Sequence, residues 1–599
     1  MAERLISCDA VLRCIRHNLK MKQSTQGVDA VKSRSLLIKN GFVVDPKNEI
    51  YEVKDIATHD GKIVESVSPE SAEIIDAEGR MVVAGGVEIH AHLATPKVDS
   101  GRVLRCDQSR MDPYTYSDIC RAGVWASVPP TFMTGYKYSH MGYTFVTEAA
   151  SAGLVARHTH EELAEIQPHD KIMFPLFGNY QLIMDYSRDK EYDKLAAFVA
   201  WMLSATKGWA IKAVNPTGVC DWSWGGNVEK LDEQIACFDV TPRDAITGLL
   251  EGAERLVLPH SLHLHANMLG RPGNTDITIE TMELASNRPA TKRASGYNLH
   301  MTHIQFHSYG GDSFVTFKSG SEPIAKYLQA HKNVSCDLGQ VVFADTTTMT
   351  ADGPWEWILR GISGSRWVND DIEVECGGGV VPYVFKRTSR VNAVQWAIGL
   401  EIALLVNDPW RVIPSTDHPN AGTFINYPSI AAWLMSKKAR EGVLATIKKS
   451  AHKRMDLPAI DREWTMKDYI TSTRAGPARI LGLQNKGQLG VGADADISVY
   501  NLDPKEDYAK HPEKLIRGLS QAWITIKDGC IVQKEGKMVA TPKGSTHWID
   551  AQIESDLAKE VEKDIRNKFM SAYTIAYENY PVSKRYLHRS TAVKLEASS

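Results

Sequence analysis

The middle of the chain alternates short apolar runs with segments of helical periodicity. In segments such as 192–204 and 391–405, apolar residues recur with the spacing of one helix face. This alternation predicts strand–helix units around a parallel sheet, and eight such units predict a (β/α)8 barrel of the TIM type. The eight apolar runs are 87–92, 143–148, 171–177, 210–215, 262–267, 299–304, 334–338 and 411–417.

Both ends of the chain carry another pattern, in which strands are joined by glycine turns. Near the N-terminus it is S-L-L-I-K-N-G-F-V-V-D followed by D-G-K-I-V-E-S-V. Near the C-terminus it is A-D-A-D-I-S-V-Y-N-L-D and W-I-T-I-K-D-G-C-I-V-Q-K-E-G-K. We therefore predict an α/β fold, in which the barrel is joined by a small β-sandwich domain built from both terminal segments.

The domain boundaries follow from these patterns. Three connections, 96–141, 217–258 and 341–395, are too long for plain loops, and we expect them to build the mouth of the barrel. The predicted boundaries are 1–35 for an N-terminal extension, 36–83 and 483–545 for the β-domain, 84–482 for the barrel, and 546–599 for an extension that is helical first and irregular later.

The composition of the chain argues against several classes of protein. The 599 residues have a formal net charge of −3, so no basic field for nucleic acid is expected. No apolar run has transmembrane length, and the N-terminus does not have the pattern of a signal peptide. The nine cysteines form no C-x-x-C pair, which argues against a disulfide framework and against redox clusters in this chain. We expect a cytoplasmic protein.

The first apolar run ends in V-E-I-H-A-H and offers the first candidate chemistry. Residues i and i+2 of a strand share a face, so the imidazoles of His90 and His92 point the same way. They stand at the C-terminal end of the first barrel strand, where barrel enzymes carry their active sites.

Four further strand ends carry Lys212, His265, His303 and Asp417. Imidazoles and carboxylates are ligands that Zn²⁺ prefers. Lys212 fits this set only if CO2 carboxylates its amine, which makes it an anionic bridge between two ions. The pattern predicts a dinuclear metal site.

Several neighbours compete for these roles. Lys207 stands near Lys212 but marks a helix end, His260 and His263 precede His265, and His300 and His307 flank His303. His265 is favoured because it is the outermost of its group and nearest the mouth, and His303 is favoured because L-H-M-T-H-I then matches an ordinary ending of strand 6. R-H-T-H-E-E (157–162) contains a second H-x-H, but it leads into a helical segment, where i and i+2 diverge by about 200° and cannot easily share an ion. We expect a polar turn over the barrel mouth here, with contact of His158 or His160 to the substrate or to a ligand as the alternative.

The order of these ligands along the strands resembles that of the binuclear amidohydrolase superfamily. Longer motifs resemble the family of A subunits of formylmethanofuran dehydrogenases, from Leu36 to about Pro581. They include G-G-V-E-I-H-A-H-L-A-T-P-K-V, K-G-W-A-I-K-A-V-N-P-T-G, H-I-Q-F-H-S-Y-G-G, T-T-M-T-A-D-G-P and T-D-H-P-N-A-G.

The resemblance implies a specific activity. In that family, formate made from CO2 at a tungsten or molybdenum pterin of a partner protein is condensed with the amine of methanofuran, and the reverse reaction hydrolyses formylmethanofuran. The implied partners are the molybdopterin-carrying B subunit, the C and D subunits, and polyferredoxin-type subunits, which carry the iron–sulfur clusters.

The resemblance also implies residue roles. Two Zn²⁺ would be held by a set in which Lys212 is an N6-carboxylysine and Asp417 also shuttles the proton. We expect a second set of residues to contact the substrate, in part because methanofuran carries carboxylates. The metal set is His90, His92, Lys212, His265, His303 and Asp417, and the substrate set is Lys97, Arg102, Arg157, His307 and Asn267.

Three alternatives stay open at this point. One is another cyclic-amide hydrolase of the superfamily, which would act on hydantoins without partners. The second is the A subunit of a bacterial formyltransferase/hydrolase complex, which has no redox module. The third is a non-catalytic scaffold that has kept the barrel.

Overall fold

The computed structural model describes residues 35–105, 108, 127–226, 228–235, 238–370, 378–572 and 576–596. The predicted N-terminal extension, apart from Ser35, lies outside these residues. The described core is a barrel of eight parallel strands, and each of the eight predicted apolar runs contains or overlaps one of them. We number them barrel strands 1 to 8: Gly86–Val87, Tyr143–Ser151, Asp170–Pro175, Lys212–Val214, Leu262–His265, Leu299–Met301, Val334–Asp337 and Val412–Ile413.

Strand pairing closes the barrel. Barrel strands 1 to 3 form one parallel sheet and strands 4 to 8 another. A parallel bridge from Leu176 to Lys212 joins strand 3 to strand 4, and one from Ala91 to His418 joins the ends of strands 1 and 8. The TIM-type barrel predicted from the apolar runs is confirmed.

Helices cover the outside of the barrel. The helices predicted at 192–204 and 391–405 are confirmed as Tyr192–Thr206 and Arg390–Val406. Pro242–Arg255 starts at a capping box, in which Thr241 and Asp244 satisfy each other's backbone N–H groups. The α-helices are Pro96–Leu104, Thr131–His140, Ala156–Leu163, Gln181–Arg188, Tyr192–Thr206, Gly218–Ser223, Pro242–Arg255, Thr275–Ser286, Ser321–Ala330, Gly353–Ser363, Arg390–Val406, Tyr427–Met435, Lys437–Leu444, Met466–Ile470, Gly476–Ile480, Pro512–Ser520 and Ser555–Ala572.

The two chain ends meet in two further sheets that share an apolar cluster, with Ile38, Val82 and Ile497 among its members. The four-stranded sheet, in spatial order, is Lys62–Val64, Ile56–His59, Ser35–Lys39 and Glu73–Asp76. The seven-stranded sheet is Lys537–Met538, Cys530–Lys534, Ile524–Lys527, Ile497–Tyr500, Met81–Ala84, Phe42–Asp45 and Ile50–Val53.

The Asn40–Gly41 turn does not make a hairpin. Ser35–Lys39 and Phe42–Asp45 belong to different sheets, so the chain crosses between the sheets at this point. A Cβ on Gly41 would lie 2.4 Å from Cγ2 of Val82, which is why only glycine fits the crossing.

The long connection after strand 7 folds as a layer over the barrel mouth. It contains a three-stranded antiparallel sheet of Asp345–Thr350, Gly378–Val384 and Val368–Asp370, and the helix Gly353–Ser363. Two smaller pairs complete the strands: Tyr309–Gly310 with Lys318–Ser319, and His547–Gln552 with Thr591–Glu596. Within the parts of the chain that the structure describes, every helix is too short or too polar to span a bilayer.

Candidate functional site

The ends of barrel strands 1 and 8 bring His90, His92 and Asp417 together. Nε2 of His90 and Nε2 of His92 each lie 3.1 Å from Oδ1 of Asp417. All three side chains are buried, and their three ligand atoms are close enough to hold one metal ion. Burial raises the pKa of Asp417, but the neighbouring histidines, His90 first, outweigh it and hold this pKa well below its usual range.

Strands 4, 5 and 6 supply Lys212, His265 and His303. The His265 and His303 ring centroids are 4.8 Å apart. Nζ of Lys212 and Nδ1 of His303 are buried without a hydrogen-bond partner among the described residues. Burial lowers the pKa of Lys212 to about 8. Orphaned buried nitrogens are costly in an ordinary core, so this set fits a cation or an added carboxyl group.

Two of these residues have unusual backbone conformations. His303 has φ of 34° and Asp417 has φ of 48°, both in the left-handed region. Such conformations cost on the order of 1 kcal/mol or more for non-glycine residues, and they cluster at functional sites because the surrounding structure must enforce them.

A cavity of about 310 Å³ opens onto this group. His90, His92, Lys212, His265, His303 and Asp417 all line it, so the six predicted metal ligands meet in one place. Its outer wall is largely apolar and comes from the layer over the mouth, with Met349, Trp355, Leu359, Tyr383 and Phe385. Burial raises the pKa of Glu356, also in this wall, well above its ordinary value.

The predicted substrate residues are not all at the cavity. Lys97 lines it. Arg102 does not; it is held by Asp99 at 2.6 Å and by the Thr131 hydroxyl at 2.9 Å. Arg157 is exposed and pairs with Glu161 on its own helix. These contacts make both arginines part of the protein's own ion-pair network.

His307 and Asn267 are buried and do not line the cavity. The His307 ring stacks on His303 with centroids 5.4 Å apart, and neither ring nitrogen of His307 has a partner among the described residues. The Asn267 amide donates to Asn215 at 2.7 Å and to the Pro216 carbonyl at 3.0 Å.

Two of the proposed histidine ligands contact a further acid that sequence reasoning missed. Nδ1 of His90 lies 3.0 Å from Asp337, and Nε2 of His265 lies 3.0 Å from Asp352. The signal was present for Asp337, because V-S-C-D-L places it at the end of strand 7. Such partners fix the ring orientation and the tautomer of a ligand histidine.

The competing lysine and the second H-x-H lie elsewhere. Lys207 ends a helix in a left-handed conformation, with Nζ 4.4 Å from the centre of the Trp548 ring. His158 and His160 are on the helix Ala156–Leu163, where a polar turn was expected. His158 pairs with Asp99 at 3.0 Å, and His160 contacts the Thr206 carbonyl at 2.9 Å.

Comparisons with known proteins agree with this geometry. Residues 73–533 match the amidohydrolase family. The chain is 46% identical to protein FwdA of Methanocaldococcus jannaschii over 94% of this chain and 99% of that protein. It is 34% identical to the A subunit of the formyltransferase/hydrolase complex Fhc of Methylorubrum extorquens, over 89% of this chain and 94% of that protein.

A solved structure gives the same result. The crystal structure of the formyltransferase/hydrolase complex FhcABCD from Methylorubrum extorquens, in complex with methylofuran, matches with a TM-score of 0.83 at 31% identity. The match covers 94% of this chain and 100% of that one. The resemblance drawn from the sequence motifs is confirmed: this chain is an amidohydrolase and belongs to the amidohydrolase family, in the group that contains protein FwdA and the Fhc A subunit.

Proposed function

We propose that this chain is the A subunit of a formylmethanofuran dehydrogenase, which condenses formate with the amine of methanofuran and hydrolyses formylmethanofuran in reverse. The observation that carries the proposal is the meeting of six ligand-type side chains in one cavity of a chain 46% identical to FwdA. The Fhc A subunit, at 34% identity, is the basis of the second candidate, the hydrolase of a formyltransferase complex.

The donor set suits two divalent ions, which we take to be zinc. His90, His92 and Asp417 would hold one ion, His265 and His303 the other, and a carboxylated Lys212 would lie between them. The support is the orphaned Nζ of Lys212 and Nδ1 of His303, two buried atoms that need a partner. Two such ions would supply a water molecule of lowered pKa and would polarise the formyl oxygen.

Carboxylation of Lys212 requires a neutral amine, because the nitrogen lone pair forms the bond to the carbon of CO2 and a proton is released. Burial lowers the pKa of Lys212 to about 8, which makes the neutral amine accessible near neutral pH. The product carries a negative charge, which suits a cavity that also receives metal cations.

Asp417 is the residue we assign to proton transfer. Hydrolysis forms a C–O bond from water, breaks the C–N bond, and moves one proton from the water to the departing amine. The carboxylate of Asp417 accepts that proton and returns it to nitrogen, and condensation uses the same steps in reverse. Its Oδ2 accepts a hydrogen bond from Asn420 at 2.9 Å, which orients the group.

The remaining assignments are also proposals. Formate would come from a molybdopterin subunit, in a cytoplasmic complex with polyferredoxin-type subunits. The 310 Å³ cavity and its apolar wall suit the body of a larger amine substrate, with Lys97 near a carboxylate. The two terminal sheets, which share one apolar cluster, would form the small β-sandwich domain.

The test is to purify the full chain with its native partners and to measure formate-dependent formylation of methanofuran together with metal content. We expect a molybdopterin subunit in the preparation and two zinc ions per chain, with zinc reduced in His265→Ala and unchanged in His160→Ala, a buried histidine outside the cavity. A formyltransferase in place of the molybdopterin subunit would favour the second candidate, and a metal-free active enzyme would overturn both.

A further inference from the structure

A column of histidines runs from His90 down the barrel interior. Nδ1 of His90 lies 3.2 Å from Nε2 of His263, and Nδ1 of His263 lies 3.0 Å from Nε2 of His260. Nδ1 of His260 lies 2.8 Å from the carbonyl oxygen of Ile480, which ends the column. His260 and His263 are fully buried, and neither lines the cavity.

The proton positions in this column follow from its closed end. A carbonyl oxygen can only accept, so Nδ1 of His260 carries a proton. Burial lowers the pKa of His260 well below its ordinary value, so the ring is neutral and its Nε2 is bare. A bare Nε2 can only accept, so Nδ1 of His263 must donate to it.

The contacts of His263 and Asp337 place the proton of His90 in the same way. Nδ1 of His263 donates to His260, so the neutral tautomer of this buried ring has a bare Nε2. That bare nitrogen accepts from Nδ1 of His90. Oδ2 of Asp337, 3.0 Å from the same Nδ1, is a second acceptor there. Among the described residues Nε2 of His90 faces one carboxylate, Oδ1 of Asp417 at 3.1 Å, so two acceptors against one favour the proton of the neutral ring on Nδ1.

We propose that His260, His263 and Asp337 are positioning residues that fix the proton of His90 on Nδ1, so that its Nε2 presents a lone pair to the metal site. The proposal rests on the proposed function in taking His90 as a metal ligand. It gives a role to three buried polar side chains that take no part in the proposed reaction.

The histidine column orients the His90 ring and does not transfer protons along its length. Proton relay along imidazoles requires a group at the far end that can take up or release a proton, and the Ile480 carbonyl can do neither. The rings are also held in fixed register, with His263 and His300 stacked at a centroid distance of 4.7 Å. His300 in turn contacts Asp337 at 3.2 Å, so the second acceptor is anchored as well.

The first test measures the tautomer without metal or turnover. Full-length, metal-free protein labelled with ¹⁵N-histidine is compared with the His90→Gln variant to assign the His90 signals, at an alkaline pH where the ring is neutral. We expect a protonated Nδ1 and a bare Nε2. A protonated Nε2 in the neutral wild-type ring overturns the proposal, whatever the metal content, and the proposed function is judged separately by the zinc analysis.

The second test measures zinc affinity by chelator competition. His263→Leu removes one of two acceptors, and we expect zinc affinity to fall about 10- to 100-fold, as for other partners of ligand histidines. His263→Gln retains an oxygen that can accept from His90 and should restore most of the affinity, which a merely space-filling role would not predict. His160→Leu, which removes a buried histidine bonded to a carbonyl elsewhere, is the matched control.

An unchanged affinity in His263→Leu would overturn the proposal. Should that variant fail to fold, the tautomer measured in the wild-type protein still decides the question.

Discussion

Two lysines at opposite ends of the barrel are both buried, but their pKa values are shifted in opposite directions. Lys212, on strand 4 at the mouth, has no hydrogen-bond partner among the described residues, and burial lowers its pKa to about 8. Lys486, beside the start of strand 3 at the floor of the barrel, contacts Asp170 and lies 2.8 Å from both Asp494 and Asp496. Burial lowers the pKa of Lys486, but these carboxylates, Asp170 first, raise it well above its ordinary value.

This difference distinguishes the candidate site at the mouth from a structural cluster of charged residues at the floor. Both groups could be taken for metal sites from their acids alone, since Asp170, Asp496 and Asp528 also lie close enough to share an ion. At the floor, Lys486 and Lys527 already compensate the carboxylates. At the mouth, Nζ of Lys212 and Nδ1 of His303 have no such partner among the described residues. Groups of this kind are expected where a barrel binds its ligands.

The largest expected effect comes from Asp417→Asn. The amide cannot accept the proton, so we expect turnover of the formyl group to fall about 10²- to 10⁴-fold. The urea midpoint of the metal-free protein should fall as well, because the histidines that lower the pKa of Asp417 stabilise its carboxylate in the folded state. Steady-state kinetics and urea unfolding measure the two. Asp496→Asn at the floor should lower the midpoint with turnover retained, and an equal loss of turnover in both variants would remove the distinction between the two ends.

Exchanging each lysine for methionine tests stability directly. Lys486→Met leaves buried carboxylates with only part of their compensation, and we expect the free energy of unfolding to fall by about 3 kcal/mol. Lys212→Met removes an unpartnered buried amine, so the metal-free protein should be no less stable than the wild type. Urea unfolding of both metal-free variants gives the values, and a large loss in Lys212→Met would mean that Nζ has a stabilising partner in solution.

Much of the barrel could be predicted because its signals are local. Apolar runs mark the strands, and the period-two rule places His90 and His92 on one face without knowledge of any distant residue. The positions on strands 5, 6 and 8 then follow from the barrel geometry, which brings the C-terminal ends of the strands to one rim. Lys212 was also expected at a strand end, but it is the first residue of strand 4. The metal role of these residues stays a prediction, although their convergence on one cavity supports it.

The rest depends on contacts that sequence patterns do not contain. Asp337 was visible at a strand end, but its pairing with His90 depends on the spacing of strands 1 and 7 across the barrel. Arg102 and Arg157 were assigned to the substrate because of charge alone, but neither lines the cavity, and each pairs with an acid on its own helix. The Asn40–Gly41 turn suggested local pairing, whereas tertiary packing sends its two strands to different sheets.

A third buried lysine, Lys171, extends the comparison to the pH dependence of stability. Lys171 donates to the carbonyls of Leu163 and Ile166, at 3.1 and 2.9 Å, and burial lowers its pKa to about 7. Between its folded pKa and its unfolded value of 10.5, the unfolded chain binds a proton that the folded chain does not. Stability should therefore rise with pH through this window, by about 1 kcal/mol per pH unit.

The measurement is urea unfolding of the wild type and of Lys171→Met across that pH range. The variant cannot bind the proton in either state, so its stability should depend less steeply on pH. Parallel curves for the two proteins would show that Lys171 stays charged when folded, as Lys486 does.

The smallest expected effect is at Arg157, and it tests where the cavity ends. Its side chain is 61% exposed, pairs with Glu161 at 3.1 Å, and lies 4.3 Å from the centre of the Tyr586 ring. Exposed pairs of this kind contribute little, so Arg157→Ala should change the free energy of unfolding by less than about 1 kcal/mol and leave the KM for methanofuran unchanged. Lys97→Met, which alters the cavity wall, should raise that KM. If Arg157→Ala raised it equally, the substrate would have to reach past the cavity wall to the outer face of the helix Ala156–Leu163, and the apolar layer over the mouth would not be its boundary.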